Sequence, residues 1–281
     1  MNDESIKLLQ HAESLIQQMN HQKLNSFEGL SPNQMHHLLY DPLGRDSPIQ
    51  LNISDPNLFK SMPLFNLIRY LACILESERE LKLTQTGKLP TKVVAELYEQ
   101  KFMPDYYIEK SFQKLYKESD VLSVMLTRLV MDVMGMSKKR KNKLSLTRAG
   151  ERLLADQVAM AKKLIITFTT GFNWAYFDGF PDDYVGQMGV GYTLFLLKKY
   201  GADPQNPSFF AKKYVEAYPY LLLNYQSYGE NMDSLIHCYT HRTFHLFMDY
   251  LGLIEVKRGA FNSIEKVKYS PVFEKIFTFE E

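Results

Sequence analysis

Apolar residues recur at helical spacing where the chain opens. Ile6, Leu9, Ala12, Leu15, Ile16 and Met19 share one face of "DESIKLLQHAESLIQQM" and predict an amphipathic helix. "NHQKLNSFEG" breaks the period, and "LSPNQMHHLLYDP" restores it over a short helix. There Ser31 is placed to cap, Pro32 suits the first turn, Gln34 completes a capping box, and Asp41-Pro42 ends the run. "DPLGRDSPIQLNISDPN" reads as a turn-rich connector around one short extended piece, Ile49–Ile53. Helical periodicity resumes from Leu58 to Glu76. "ELKLTQTGKLP" follows as strand and turn, and "TKVVAELYEQ" as a helix. Phe112–Tyr116 and Val121–Met136 are read as further helices. Beyond Gln157 the chain turns aromatic, and Gly171, Gly179, Pro181, Gly201, Pro204 and Pro207 punctuate it into helices and short loops.

Two distant stretches share one order of signals. "LVMDVMGMSKKRKNKLSLTRAGERLL" and "LFMDYLGLIEVKRGAFNSIEKVKYSPVFEKIF" both pass from an apolar helix through Met-Asp to a glycine, Gly135 or Gly252, where a helix end favours a left-handed residue. An extended piece, a polar turn and an alternating strand follow, the second strands being Lys143–Thr147 and Lys266–Ser270. "YLACILESERELKLTQTGKLP" is a third, shorter version without the glycine. In the first copy Leu144 and Leu146 face one way and Lys143 and Ser145 the other. Helix, strand, polar turn, strand is the closing half of a winged helix. "LTRAGERLL" also resembles the segment that follows the wing in many bacterial winged-helix regulators, which implies that Thr147 ends the strand and caps the next helix. The predicted class is therefore mainly α with small β-hairpins, in two or three winged-helix-like units plus a helical aromatic-rich region. The expected division is residues 1–57 as N-terminal helices and connector, 58–157 as a winged-helix-like region, and 158–281 as an aromatic-rich region ending in a second such unit.

The blocks "GLSPNQMHHLL", "LKLTQTGKLPTKVV", "GMSKKRKNKLSLTRAGERLL" and "HRTFHLFMDYLGLIE" occur in the order seen in a group of poorly characterised bacterial proteins. The chain resembles that group, some of whose members accompany the Ri-plasmid third-open-reading-frame family or carry a SEC-C motif. The similarity covers about a third of the chain. The resemblance implies a mostly helical, winged-helix-like bacterial protein and no particular activity. The SEC-C cysteine cluster is missing here, so its metal role does not carry over.

Charge narrows the choice of partners. Lys+Arg at 33 nearly cancels Asp+Glu at 32, so binding to nucleic acid has to come from a local patch. One such patch stands out. Lys138, Lys139, Arg140, Lys141 and Lys143 follow one another with no acidic residue between them. On a wing, cations of this kind meet phosphates and release counterions; on any hairpin tip they also simply favour solubility. The helix before them offers only Ser123, Thr127, Arg128 and Asp132 as polar groups, a poor set for reading base edges.

Other candidate chemistry is weaker. Asp233, His237, His241, His245 and Asp249 repeat every four residues, a spacing at which two histidines can share a metal. On an α-helix each step of four overshoots a turn by roughly 40°, so at most three consecutive members can cooperate. No HExxH pattern is present, and the expectation is no bound metal. Asp178, Asp182 and Asp183 read more simply as turn and cap residues than as Mg²⁺ ligands. "GQMGVGY" lacks phosphate-loop spacing and reads as close helix packing. No GxSxG and no cysteine beside a base supports a nucleophilic enzyme. Cys73 and Cys238 form no CxxC pair and read as two buried free thiols in a reducing cytoplasm.

No basic-then-apolar leader and no membrane-length apolar run is visible. The expectation is a cytoplasmic protein without cofactor that contacts nucleic acid through the basic wing. The alternative is a non-enzymatic protein–protein interaction module.

Overall fold

The computed structural model describes residues 3–280. Helix α1 (Asp3–His21) precedes α2 (Pro32–Tyr40), and a strand β1 (Ile49–Leu51) leads into α3 (Pro63–Glu78). Strand β2 (Leu81–Lys82), α4 (Thr91–Glu99), the single turn α5 (Tyr106–Glu109) and α6 (Leu122–Val133) follow. A hairpin of β3 (Ser137–Arg140) and β4 (Lys143–Leu146) then runs into α7 (Arg148–Ala155) and α8 (Gln157–Ile166). The second half holds α9 (Val190–Tyr200), α10 (Pro207–Ala217), α11 (Tyr220–Ser227), α12 (Met232–Thr240), β5 (Ile254–Arg258), β6 (Ile264–Tyr269), α13 (Pro271–Ile276) and β7 (Phe277–Phe279). Two helical stretches, Thr167–Gly171 and His241–Met248, are π-helical. The fold is mainly α with small antiparallel sheets of two or three strands, as the periodicity predicts.

Local chemistry places the elements. Ser31 and Gln34 exchange side-chain and backbone hydrogen bonds in a complete capping box at α2. The Thr147 hydroxyl accepts from the Gly150 amide and donates to the Gly135 carbonyl, tying the start of α7 to the end of α6. Phe112–Tyr116 is not helical. Asp105 caps α5, the backbone turns left-handed at Ser111 two residues past its end, and the following residues run as an irregular loop.

The shared order of signals is a structural repeat, and it begins earlier than the glycine. In the first copy α3, β2, α4, α6, β3, β4 and α7 succeed one another, with sheet order β2-β4-β3. In the second, α9 precedes Gln205, which pairs with Val267 of β6 on the edge opposite β5, and α10, α12, β5, β6 and α13 follow. The junctions agree bond for bond. Gly135 N donates to Asp132 O at 2.9 Å and Gly252 N to Asp249 O at 3.0 Å; Thr147 N donates to Met136 O at 2.9 Å and Ser270 N to Leu253 O at 3.0 Å. The Ser270 hydroxyl donates to Gly252 O and accepts from Phe273 N, as Thr147 does in its own copy. The third version is therefore not a separate unit. It supplies the first helix and the edge strand of the first copy, and Gln205 is its counterpart in the second.

One hydrophobic cluster spans both copies. At its centre Trp174 stacks on Phe247 with ring centroids 4.4 Å apart, and its indole donates to Phe168 O. Strand β1 pairs with β7, joining the N-terminal connector to the C-terminus. Cys238 is buried, whereas Cys73 is exposed on the outer side of α3, against the expectation of two buried thiols.

Candidate nucleic-acid interface

The basic segment forms β3, the following turn and the start of β4. Lys141 and Asn142 both hold positive φ, 47° and 57°, which makes a two-residue type I′ hairpin. The Asn142 amide donates to the Leu83 and Thr84 carbonyls, and Leu83 N returns a bond to Asn142 O, so the turn is fixed against the end of β2. Strand alternation then separates the cations. Lys82, Lys143 and Arg140 stand side by side across β2, β4 and β3 on the outward face, and Lys138 stands beside Ser145 on that same face. Lys141 sits in the turn. Lys139 has the parity of Leu144 and lies over Gly87 instead. Lys82 was not singled out from the sequence, although alternation in "ELKLTQ" is enough to place it.

One carboxylate interrupts the patch. Glu80 accepts from Lys143, and that bond, with Lys138 also near, holds its carboxyl below the usual range. The other side of the sheet buries Leu144 and Leu146 against α3.

Helix α6 cannot supplement the patch with base-reading groups. Ser123 and Thr127 are buried, and the Thr127 hydroxyl bonds back to Ser123 O. Arg128 donates to Glu118, a carboxylate that is fully buried and also accepts from Leu89 N at 2.6 Å. Only Asp132, of the wrong charge for phosphate, stays open to solvent.

The second hairpin is electrically different. Lys257 pairs with Glu265, Lys268 with Glu255 and Arg258 with Asp249. Its cations are largely matched within the hairpin and the helix beneath it.

The histidine stripe runs from α12 into the π-helical stretch. A π turn holds more residues than an α turn, so the four-residue step falls short of a full circle there and reverses the α-helical drift. His241, His245 and Asp249 consequently line one cleft of about 380 Å³, together with Tyr106, Ser123 and Arg258. Burial pushes His245 down to about 4, helped by His241 and Arg258, and lowers His241 as well. Burial raises Asp249 against the opposing pull of Arg258. Among the described residues no group of three or more His, Cys, Asp or Glu side chains is disposed to hold a metal ion.

The aspartates of "YFDGFPDDY" serve the interior. Asp178 accepts two bonds from Arg242, at 2.7 and 2.8 Å, and Arg242 also donates to Asp182 O and Val185 O. Asp182 is buried and accepts from Tyr184 N and Val185 N, while Asp183 is exposed. In "GQMGVGY" a side chain at Gly191 would meet Leu38 O at 2.6 Å, which is the close packing of α9 on α2.

Set beside known proteins, the chain matches one family model, described as the Y4jL N-terminal domain, over residues 60–159. That range begins just before α3 and ends in α8, so it holds the first copy of the repeat and the basic sheet. No curated protein and no solved structure matches the chain.

Proposed function

We propose that this chain is a winged-helix-like accessory protein that contacts the phosphate backbone of nucleic acid through the outward face of its first sheet, with little dependence on base sequence. The observation that carries the reading is convergence. Three strands bring Lys82, Lys138, Arg140 and Lys143 onto one exposed face, with Lys141 at its tip and a single carboxylate, Glu80, among them. The order α3-β2-α4-α6-β3-β4 with sheet β2-β4-β3 agrees with what a winged helix requires and so supports the reading.

Lysines and arginines on such a face each neutralise a phosphate and release a counterion, so affinity falls with salt. The state of α6 explains why sequence reading is not part of the proposal: its hydroxyls are buried and its arginine is bound to Glu118. β3 is also an edge strand, where lysines prevent unwanted strand pairing. The two roles separate by experiment. Lys138→Gln, Arg140→Gln and Lys143→Gln together should leave the fold intact, because exposed cations contribute little stability. They should weaken binding to duplex DNA, single strands or RNA and flatten the salt dependence, by up to about 0.9 in slope per lost contact on B-form DNA. Equal affinity and equal slope in the triple variant would reduce the patch to a solvated, edge-guarding strand.

A protein–protein interaction module is the second reading. It is favoured by a different part of the molecule, the uncovered apolar face of α1.

A further inference from the structure

The segment between α5 and α6 turns aromatic rings to solvent. Tyr107 is 47% exposed, Phe112 70% and Tyr116 61%, whereas Ile108 and Leu115 pack on the core. The loop that carries these rings is pinned by its own hydrogen bonds. Phe112 N and Gln113 N donate to Tyr107 O at 2.8 and 3.1 Å, past the left-handed turn at Ser111. The Gln113 amide donates to Asp120 O, and Tyr116 N and Lys117 N donate to the Asp120 carboxylate. Phe112 consequently lies beside Tyr106 with ring centroids 6.4 Å apart, and Tyr106 meets Tyr107 edge to face at 5.4 Å.

Charge along this segment is divided between inside and outside. Its carboxylates all hold the structure together. Asp105 caps α5, Glu109 accepts from Lys101 and Tyr98, Glu118 is buried on Arg128, and Asp120 binds the two amides. Lys110, Lys114 and Lys117 are interleaved with the rings, are exposed, and make no ion pair among the described residues. A partner has to offer flat apolar faces and negative charge together. Single-stranded nucleic acid does so, with free base faces to stack and phosphates between them. A duplex does not, because its bases are held inside the stack. A protein partner fits worse, since lysine is depleted where interfaces bury aromatic rings. A lipid surface also fits worse, because it takes an amphipathic helix and the α-helix here ends at Glu109.

We propose that residues 106–117 form a stacking platform for single-stranded nucleic acid, with bases on Tyr107, Phe112 and Tyr116 and phosphates on Lys110, Lys114 and Lys117. The platform shares no residue with the basic sheet, so a sheet that binds no duplex leaves this proposal standing. The test titrates the full chain with labelled oligo(dT), oligo(U) and a duplex of the same length. Phe112→Ala with Tyr116→Ala should weaken single-strand binding about 5-fold or more for each ring lost and leave duplex binding unchanged. Thermal unfolding should stay the same, since both rings are exposed. Phe112→Tyr should keep the affinity and Phe112→Leu should lose it, because a base stacks on a π-face and leucine has none. Lys110→Gln, Lys114→Gln and Lys117→Gln together should flatten the salt slope on the single strand by up to about 0.7 per lost contact. The tighter of the two strands identifies DNA or RNA as the ligand. A wild-type chain that binds neither strand would overturn the proposal. So would ring variants that bind both strands as tightly as wild type, a Phe112→Leu variant equal to Phe112→Tyr, or an equal loss on duplex and single strand. Ring-dependent binding to lipid vesicles, or ring-dependent self-association, in place of either strand would overturn it too.

Discussion

Arg242 is fully buried, and its guanidinium is held by both oxygens of Asp178 and by two backbone carbonyls. Burial works against its charge, but the Asp178 bonds keep its pKa raised. Removing one partner of a buried pair strands the other, at a cost of about 3–5 kcal/mol. Asp178→Ala should therefore lower stability to urea by roughly that amount. A loss below about 1 kcal/mol would mean that water replaces the carboxylate. Nothing in "HRTFH" marks this arginine as interior, since Arg is a surface residue by default and its partner lies 64 residues away. His245 gives a prediction in pH. Its folded pKa, pushed down to about 4, lies below the ordinary 6.5, so the unfolded chain binds the proton more readily. The stabilisation is complete above pH 6.5 and is lost as pH falls towards 4. The titratable groups that line the cleft with it are His241, Asp249, Arg258, Asp105, Tyr106, Tyr107 and Tyr250. Wild-type protein should lose about 1–3 kcal/mol across that window relative to His245→Gln, less where cleft water screens the ring. Parallel stability curves for the two proteins would place His245 in free contact with solvent.

At the level of elements, periodicity and punctuation were enough to find most of the architecture. The α2 capping box, the left-handed turns at Gly135 and Gly252, the inward Leu144 and Leu146 and the Thr147 cap can all be read from neighbouring residues, because each is a local interaction. What depends on distant chain was not legible. β7 forms only because β1 is beside it, and Gln205 counts as a strand position only through Val267. The π geometry of His241–Met248 also left no sequence signal, and it is what aligns three members of the histidine stripe. The two repeat glycines look alike in sequence but differ in surroundings. A Cβ at Gly135 would meet nothing within 4 Å, while at Gly252 it would meet Ser61 O at 2.0 Å. Both hold positive φ, so Gly135→Ala should cost about 1 kcal/mol through backbone strain. Gly252→Ala has to move backbone as well and should cost about 3 kcal/mol or more. Thermal unfolding of the two variants compares them directly, and equal losses would show that the backbone at Ser61 yields easily.

Across the whole molecule, two copies of one unit share a core but present different surfaces. The second hairpin pairs Lys257, Lys268 and Arg258 with Glu265, Glu255 and Asp249, so of its strand cations Lys266 alone stands outside these pairs. The first gathers Lys82, Lys138, Arg140 and Lys143 on one sheet face with only Lys143 paired, to Glu80, within a chain whose net charge is only +1. Among the described residues no helix is long and apolar enough to cross a membrane. The charge difference between the copies is the reason nucleic-acid contact is proposed for the first, and Glu80 is the carboxylate within its patch that opposes it. Glu80→Gln removes that carboxylate and frees Lys143, with little cost to stability because the pair is exposed. The most direct test is the slope of log affinity against log salt on duplex DNA for wild type and Glu80→Gln. The variant should bind more tightly and steepen the slope by up to about 0.9, the value of one further phosphate contact. No measurable binding by either protein, or the same affinity and slope for both, would contradict the assignment of this face to nucleic acid.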